Sequence, residues 1–414
     1  MKYKTLDDVN VKGKTVIVRV DFNSTVDPET KKLLDDERIK LHSITIKELA
    51  DKGAKVLVLA HQGRPGDADF IGLGQHANRL KEILGKDVKF VEDVVGEKAV
   101  TAIKTLKDGE ILLLDNVRSL PDEMAKKSIE EHANSMIVNV LAPLADLFVI
   151  DAFAAAHRAH ASIVGFIPKL PTVLGRIMEK EIIAIDKVRS VENRPIVYVL
   201  GGSKVKEGVE ISEYVLSNNR VDYILTGGLV AQLFLYAKGI NLGEVNVKIL
   251  KDKGLLDLVP KAKTLLDTFK EKIVTPKDLA VRSNGQRVEI LTEELPTEYE
   301  ISDIGSMTME YFTRFLSNAK AVFLHGPMGV YEDSKFIEGT RAVFKAAVEA
   351  KAFTVAGGGH TIAALSKLGL YDKVSYVSSG GGALLEALMG KKLPVIEAIE
   401  KYQTKFFSQY SSGL

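Results

Sequence analysis

Short runs of Val, Ile and Leu alternate along the chain with longer stretches in which apolar residues recur at helical spacing. That alternation predicts repeated βαβ units around parallel sheets. In the first half, Thr15 to Asp21, Lys55 to Ala60, Ile111 to Leu114 and Leu147 to Asp151 read as strands. They are close to continuously apolar, so they belong in sheets covered by helices on both faces. Between the first two, Ile39, Ser43, Ile46, Leu49 and Ala50 share one face of a helix that ends near Asp51.

Further on, Pro168 and Pro171 precede an apolar stripe through Val173, Ile177, Met178, Ile182, Ile185 and Val188, which Asn193 and Pro195 close. No Gly/Ser-rich stretch interrupts it, so one connecting helix over 172–192 is expected between domains at 1–171 and 193–390. The α/β rhythm resumes from Ile196 to Val377 and is least legible from Gly239 to Glu300, where a helix near Leu265 to Lys272 is expected. The fold class is therefore α/β, with two doubly wound parallel-sheet domains. Residues 391–414 are too few for a further domain and could pack on either one.

The strand ends differ between the halves. In the first they stop at charged groups: RVDFN from Arg19, HQGR from His61, DNVR from Asp115 and DAFAAAHRAH from Asp151. In the second they stop at glycines: LGGSK from Leu200, TGG from Thr226, HGPMG from His325, AGGGH from Ala356 and SSGGG from Ser378. Ligands of open α/β sheets bind at the carboxyl ends of the strands. Arg64, Arg118 and Arg158 follow three different strands, and converging guanidiniums would grip a phosphate or carboxylate through charge-assisted hydrogen bonds. His61 and His157 could add donors, while Asp21 and Asn23 suit substrate hydroxyls. Arg38 stands at a helix start that Asp35 or Asp36 would cap. Each residue taken singly is better explained by a surface or capping role; their recurrence at strand ends reverses that and points to a site. Glycine turns at strand ends offer backbone N–H groups to phosphate oxygens, and Lys204 adds a point charge. A GKT at Gly13 to Thr15 precedes a strand and reads as a turn. GLGQHA from Gly72 to Ala77 fits a relaxed dinucleotide pattern but follows a poor strand.

Composition narrows the function classes. The 414 residues allow two or three domains at about 150 residues each. A formal net charge of +1 opposes a role on bulk nucleic acid or an anionic membrane. With no cysteine there is neither a disulfide framework nor a thiolate metal site. The opening MKYKTLDDVN lacks the apolar core of a signal peptide, and no apolar run reaches bilayer length, so a soluble cytoplasmic chain is expected.

Taken together, RVDFN, DDERI, HQGRP, LLLDNVR, DAFAAAHRAHAS, LGGSKV, HGPMGVYE, AGGGHT and VSSGGGALLEAL resemble the phosphoglycerate kinase family in order and spacing, nearly end to end, with an archaeal look. The resemblance implies reversible phosphoryl transfer between 1,3-bisphosphoglycerate with ADP and 3-phosphoglycerate with ATP, by direct in-line displacement with hinge closure. It implies a triose site of Asp21, Phe22, Asn23, Arg38, His61, Gln62, Gly63, Arg64, Arg118 and Arg158. It implies a nucleotide site of Gly202, Lys204, Gly228, Glu332 (on the ribose), Gly358, Gly359, His360 and Thr361, with Mg2+ arriving with ATP or ADP. Arg38 and Lys204 would flank the group in flight, helped by the amides of Gly380, Gly381 and Gly382. The terminal segment would return to the first domain. Against the family pattern, His360 replaces an Asp, Gly208 a second lysine and His325 an Asn. An inactive nucleotide-binding regulator on the same fold is the alternative; a kinase for acetate or aspartate would have no use for so many arginines. The partners expected are these small molecules, with no nucleic acid or membrane, for a monomer or homodimer.

Overall fold

A computed structural model describes residues 2–407. The chain divides into two compact units, one comprising residues up to Ile182 together with those from Lys392, the other Ile183–Lys391. In the first, six strands form one parallel sheet: β1 (Thr15–Arg19), β2 (Lys55–Leu59), β3 (Lys89–Val91), β4 (Ile111–Leu114), β5 (Leu147–Ile150) and β6 (Thr172–Leu174). Their spatial order is β3-β4-β2-β1-β5-β6. Val16, Val18, Val56, Val58 and Leu113 form one face of the sheet's core, against Ile39, Ile46 and Leu49 of the helix Glu37–Asp51. The face predicted for that helix is the face it buries. Each such Leu or Ile contributes roughly 1.5–3 kcal/mol of transfer free energy.

The connecting helix starts later than its apolar stripe suggested. Thr172 and Val173 are strand residues, because β6 pairs in parallel with Phe148–Ile150 of β5, and the helix occupies Arg176–Arg189. Asp151 sets the starting point: its Oδ1 accepts from Ile177 N at 2.9 Å, and a Cβ on Gly175 would stand 2.1 Å from that same oxygen.

The second unit has its own parallel sheet, ordered β15-β14-β13-β7-β8-β9. Its strands are β7 (Ile196–Leu200), β8 (Tyr223–Thr226), β9 (Ile273–Val274), β13 (Ala321–His325), β14 (Phe353–Ala356) and β15 (Tyr376–Val377). Between β9 and β13 the chain forms an antiparallel sheet of β10 (Asp278–Ser283), β11 (Gln286–Leu291) and β12 (Glu300–Ile304), which the pattern reading did not foresee. Its hairpin turns at Asn284 (φ 49°) and Gly285 (φ 74°), a pair that tolerates positive φ at both central positions. The helix expected at Leu265 to Lys272 is Val259–Phe269, with a 3-10 turn over Lys270–Lys272.

The final helix, Pro394–Phe407, packs on the first unit. Tyr402 Oη donates to Glu130 Oε1 at 2.8 Å, Lys405 Nζ to the Pro168 carbonyl at 3.0 Å, and Tyr3 Oη to Glu400 Oε1 at 2.9 Å. The return expected for 391–414 is thus observed up to Phe407, and residues 408–414 lie outside the described ones. Among the described residues, no helix is long and apolar enough to cross a membrane.

Candidate active-site clusters in the two units

Four adjacent strands of the first sheet, β4-β2-β1-β5, deliver the charged cluster at their carboxyl ends. Asp21 and Asn23 follow β1, His61 and Arg64 follow β2, Arg118 rides a 3-10 turn after β4, and Arg158 lies beyond β5. Arg38 Nη1 donates to Asp21 Oδ2 at 2.9 Å. Asp21 is buried, which alone would raise its pKa, yet Arg38, His61 and His42 hold the carboxyl far below the ordinary range. Arg118 is 4% exposed and donates through Nη1 to the Gly63 carbonyl at 2.7 Å. Its Nε and Nη2 are buried and have no partner among the described residues. Burial, then Arg19, Arg158 and Arg64, bring its pKa down to about 10, so the guanidinium is still charged at neutral pH. Arg158 is likewise lowered by burial and by Arg64 and Arg38, with Asp21 opposing. Arg64 is exposed and His157 half-buried at the edge of the group.

Several residues expected in this site turn out to build it. Phe22 is fully buried and stacks against His76, so its side chain belongs to the core. Gln62 uses both ends on scaffold: Oε1 accepts from Ser24 N at 2.8 Å, and Nε2 donates to the Ser24 carbonyl at 3.0 Å and to the Asp69 carbonyl at 3.2 Å. Gly63 has φ 64°, and a Cβ there would lie 2.6 Å from the Asp69 backbone. Its N–H donates to Asn23 Oδ1 at 2.8 Å, leaving the Asn23 amide nitrogen for other partners. Asp36 occupies the N-cap position of its helix without capping it; its carboxylate takes Arg79 and Lys40 instead, while Asp35 accepts from Thr25 N. The GLGQHA segment opens the helix Gly74–Leu84, but Asp115 Oδ1 already accepts from Leu73 N at 2.9 Å there.

In the second unit the glycine turns interlock. Gly202 N donates to the Pro327 carbonyl at 2.8 Å, Gly228 N to the Met328 carbonyl at 2.9 Å, and Leu229 N to the Gly202 carbonyl at 3.1 Å. A Cβ on Gly326 would sit 2.1 Å from Gly201 O, and one on Gly228 2.7 Å from Gly202 N. The amides of Gly202 and Gly228 are therefore spent on neighbouring turns, contrary to the expectation that these N–H groups face phosphate. What these glycines provide is close backbone approach. Gly380 N is likewise spent, on Ser378 Oγ at 3.0 Å, whereas Gly381 and Gly382 stand exposed.

A pocket lies over this floor, lined by Gly202, Gly228, Glu332 and His360 together with Ile249, Leu279, Ile301 and Met328. An apolar slot with a few polar groups suits a nucleoside. Lys204 stands exposed at the N-cap of the helix Val205–Ser217. The helix Gly359–Lys367 begins at Gly358 (φ 95°) without a side-chain cap, which leaves its first amides pointing out at an anion-favouring end. Thr361 is buried and accepts from Gly326 N at 2.7 Å, a scaffold contact. His360 Nδ1 lies 3.1 Å from Tyr331 Oη, and both residues line the pocket. His325 Nδ1 donates to the Gly357 carbonyl at 3.1 Å, and the other nitrogen is 3.5 Å from Glu207, whose carboxyl that contact holds below its usual range. Gly208 is buried, and a Cβ there would come 3.2 Å from Val230.

Among the described residues no group of three or more acidic or histidine side chains could form a metal cage. Mg2+ characteristically keeps several waters and binds through substrate phosphates. Such binding asks for few protein donors, and the residues present fit it.

Guanidiniums gathered at the ends of one parallel sheet, together with a second parallel sheet whose glycine turns floor an apolar pocket, define an α/β phosphotransferase built from two units. Residues 6–391 match the family model described as phosphoglycerate kinase. The chain is 45% identical to a phosphoglycerate kinase of Methanobacterium bryantii over 405 residues, covering 98% of this chain and 99% of that one. It is 44% identical to one of Sulfolobus acidocaldarius, covering 95% of each. The crystal structure of phosphoglycerate kinase from Pyrococcus horikoshii OT3 is similar with a TM-score of 0.86 at 42% identity, over 97% of this chain and 100% of that one. The chain belongs to the phosphoglycerate kinase family.

Two fully buried residues, Arg19 and Glu123, lie outside the set expected from sequence. Arg19 opens RVDFN and is fully buried, and Glu123 is fully buried in a loop with no distinguishing pattern. Only Arg19, as a charge at a strand end, left a signal in the sequence.

Proposed function

We propose that this chain transfers a phosphoryl group reversibly between 1,3-bisphosphoglycerate with ADP and 3-phosphoglycerate with ATP. The first unit takes the triose and the second the nucleotide. The observation that carries this reading is Arg118, a buried guanidinium with two nitrogens unpartnered among the described residues, in a cluster with Arg64 and Arg158. Such an excess of positive charge is stable beside a phosphate and costly without one. Arg64, Arg118, Arg158, His61 and His157 serve the phosphate, and Asp21 and Asn23 the hydroxyl side. In the second unit, Glu332 meets the ribose and the outward amides from Gly359 to Thr361 meet the nucleotide phosphates.

Transfer is direct and in line, so catalysis consists mainly of positioning and charge neutralisation. Arg38, aimed by its ion pair with Asp21, and Lys204 neutralise the group in flight, and the amides of Gly381 and Gly382 assist. Mg2+ arriving on the nucleotide supplies further neutralisation of its phosphates. The test is a coupled assay of ADP release with ATP, Mg2+ and 3-phosphoglycerate, beside Arg38→Ala. Turnover in the wild type that falls by roughly 10³-fold in the variant is expected. No turnover from the folded wild-type protein would refute the assignment, and a loss under about tenfold, with 3-phosphoglycerate binding intact, would remove Arg38 from the role.

A further inference from the structure

Behind the charged cluster runs a row of fully buried polar side chains that the transfer does not itself require. Glu123, Ser162 and Arg19 are each 0% exposed and come from three separate stretches of the first unit. Ser162 gives its hydroxyl proton to Glu123 Oε1, and its backbone N–H donates to Glu123 Oε2 at 3.0 Å. A hydroxyl has one proton, so towards its other neighbour it can only accept, and Arg19 Nε donates to it at 2.8 Å. The same guanidinium donates through Nη1 to the Val20 carbonyl, and its Nη2 lies 3.0 Å from His61 Nδ1. Arginine has donors only and keeps its proton. His61 Nδ1 must therefore offer a lone pair, which leaves the ring proton on Nε2.

We infer that Glu123, Ser162 and Arg19 are positioning residues that lock His61 as a neutral imidazole with its proton on Nε2. Resting on the triose-site reading above, His61 then meets the substrate's phosphate as a hydrogen-bond donor and not as a charge. The surrounding electrostatics agree. Burial first, then Arg19, Arg118 and Arg158, hold the His61 pKa well below its ordinary value, with only Asp21 acting against them. Glu123 supplies the counter-charge that a buried Arg19 needs. Burial raises the Glu123 carboxyl to about 7 against the pull of Arg19 and Ser162, so the ionised form is best observed near pH 8.

The experiment is long-range ¹H–¹⁵N correlation of the histidine rings in the full chain at pH 8. His61 is assigned by its loss in His61→Gln, and KM for 3-phosphoglycerate and for ATP is measured beside it. The wild type is expected to show His61 as the Nε2–H tautomer. Arg19→Met should give a tautomer mixture and a KM for 3-phosphoglycerate raised about tenfold, with KM for ATP unchanged. Should Arg19→Met not fold, Ser162→Ala decides, since it keeps both charges and breaks only the link; a smaller change in the same direction is expected. An Nδ1–H tautomer in the wild type would overturn the inference. So would a pure Nε2–H signal in the folded Arg19→Met, or in Ser162→Ala where that variant decides, whatever happens to KM. An intact tautomer lock in a protein without turnover would uphold the lock and refute the kinase reading instead.

Discussion

The two parallel sheets share an architecture, yet their carboxyl ends are made by opposite means. At the first, polar and charged side chains gather at the ends of four strands and are held by fixed partners: Arg38 by Asp21, Arg118 by the Gly63 carbonyl, His61 by Arg19. At the second, side chains withdraw, and glycine turns pack backbone on backbone at distances that leave no space for a Cβ. The first device yields directional charge at fixed points and depends on keeping like charges together. The second yields a smooth floor and depends on steric exclusion. A substitution should therefore act through electrostatics in one unit and through strain in the other.

The sharpest way to break that contrast is Arg38→Ala, whose roughly 10³-fold loss of turnover should come without loss of fold. Circular dichroism beside the kinetics separates the two. Next in size is Gly326→Ala, which meets both a φ of 98° and the Gly201 carbonyl. Positive φ alone costs about 1–3 kcal/mol, and the clash adds to it. ATP protection of the melting transition should weaken sharply, while binding of 3-phosphoglycerate, read by calorimetry, should hold.

A third test uses pH. Burial lowers the His76 pKa to about 4 from an ordinary 6.5. A depressed pKa favours the neutral form in the fold, so the stability is complete above pH 6.5 and is lost as pH falls towards 4. The loss for this one group is on the order of 3 kcal/mol, and His76→Leu should flatten that part of the urea-unfolding profile. The smallest effect expected is Asn284→Ala, about 1 kcal/mol from the left-handed turn of the β10–β11 hairpin. It should leave both triose and nucleotide KM values alone; a change in either would show that the antiparallel sheet shapes a site.

Much of this was legible in the sequence where the signal was local. Apolar runs marked the strands, and a charged or glycine residue at the end of each run marked the chemistry. What escaped depended on partners distant in the chain. Gln62 reads as a polar residue beside a substrate, and only packing against Ser24 and Asp69 shows it to be scaffold. Thr172 and Val173 fit a helical stripe until β5 claims them as a strand. The Gly202 and Gly228 amides look available until the Pro327 and Met328 carbonyls, more than ninety-nine residues of chain further on in each case, occupy them. The Asn284–Gly285 turn, by contrast, is a local signal, since that dipeptide favours the positive φ both residues adopt.

The helix Pro394–Phe407 has a consequence for how this protein is made. Because Glu400 meets Lys2 and Tyr3, the first unit is assembled from both ends of the chain, while Ile183–Lys391 is one unbroken segment. During synthesis the second unit has its whole sequence before the first does. The unit whose strands are translated first thus receives its closing helix only after the whole of the other has been made.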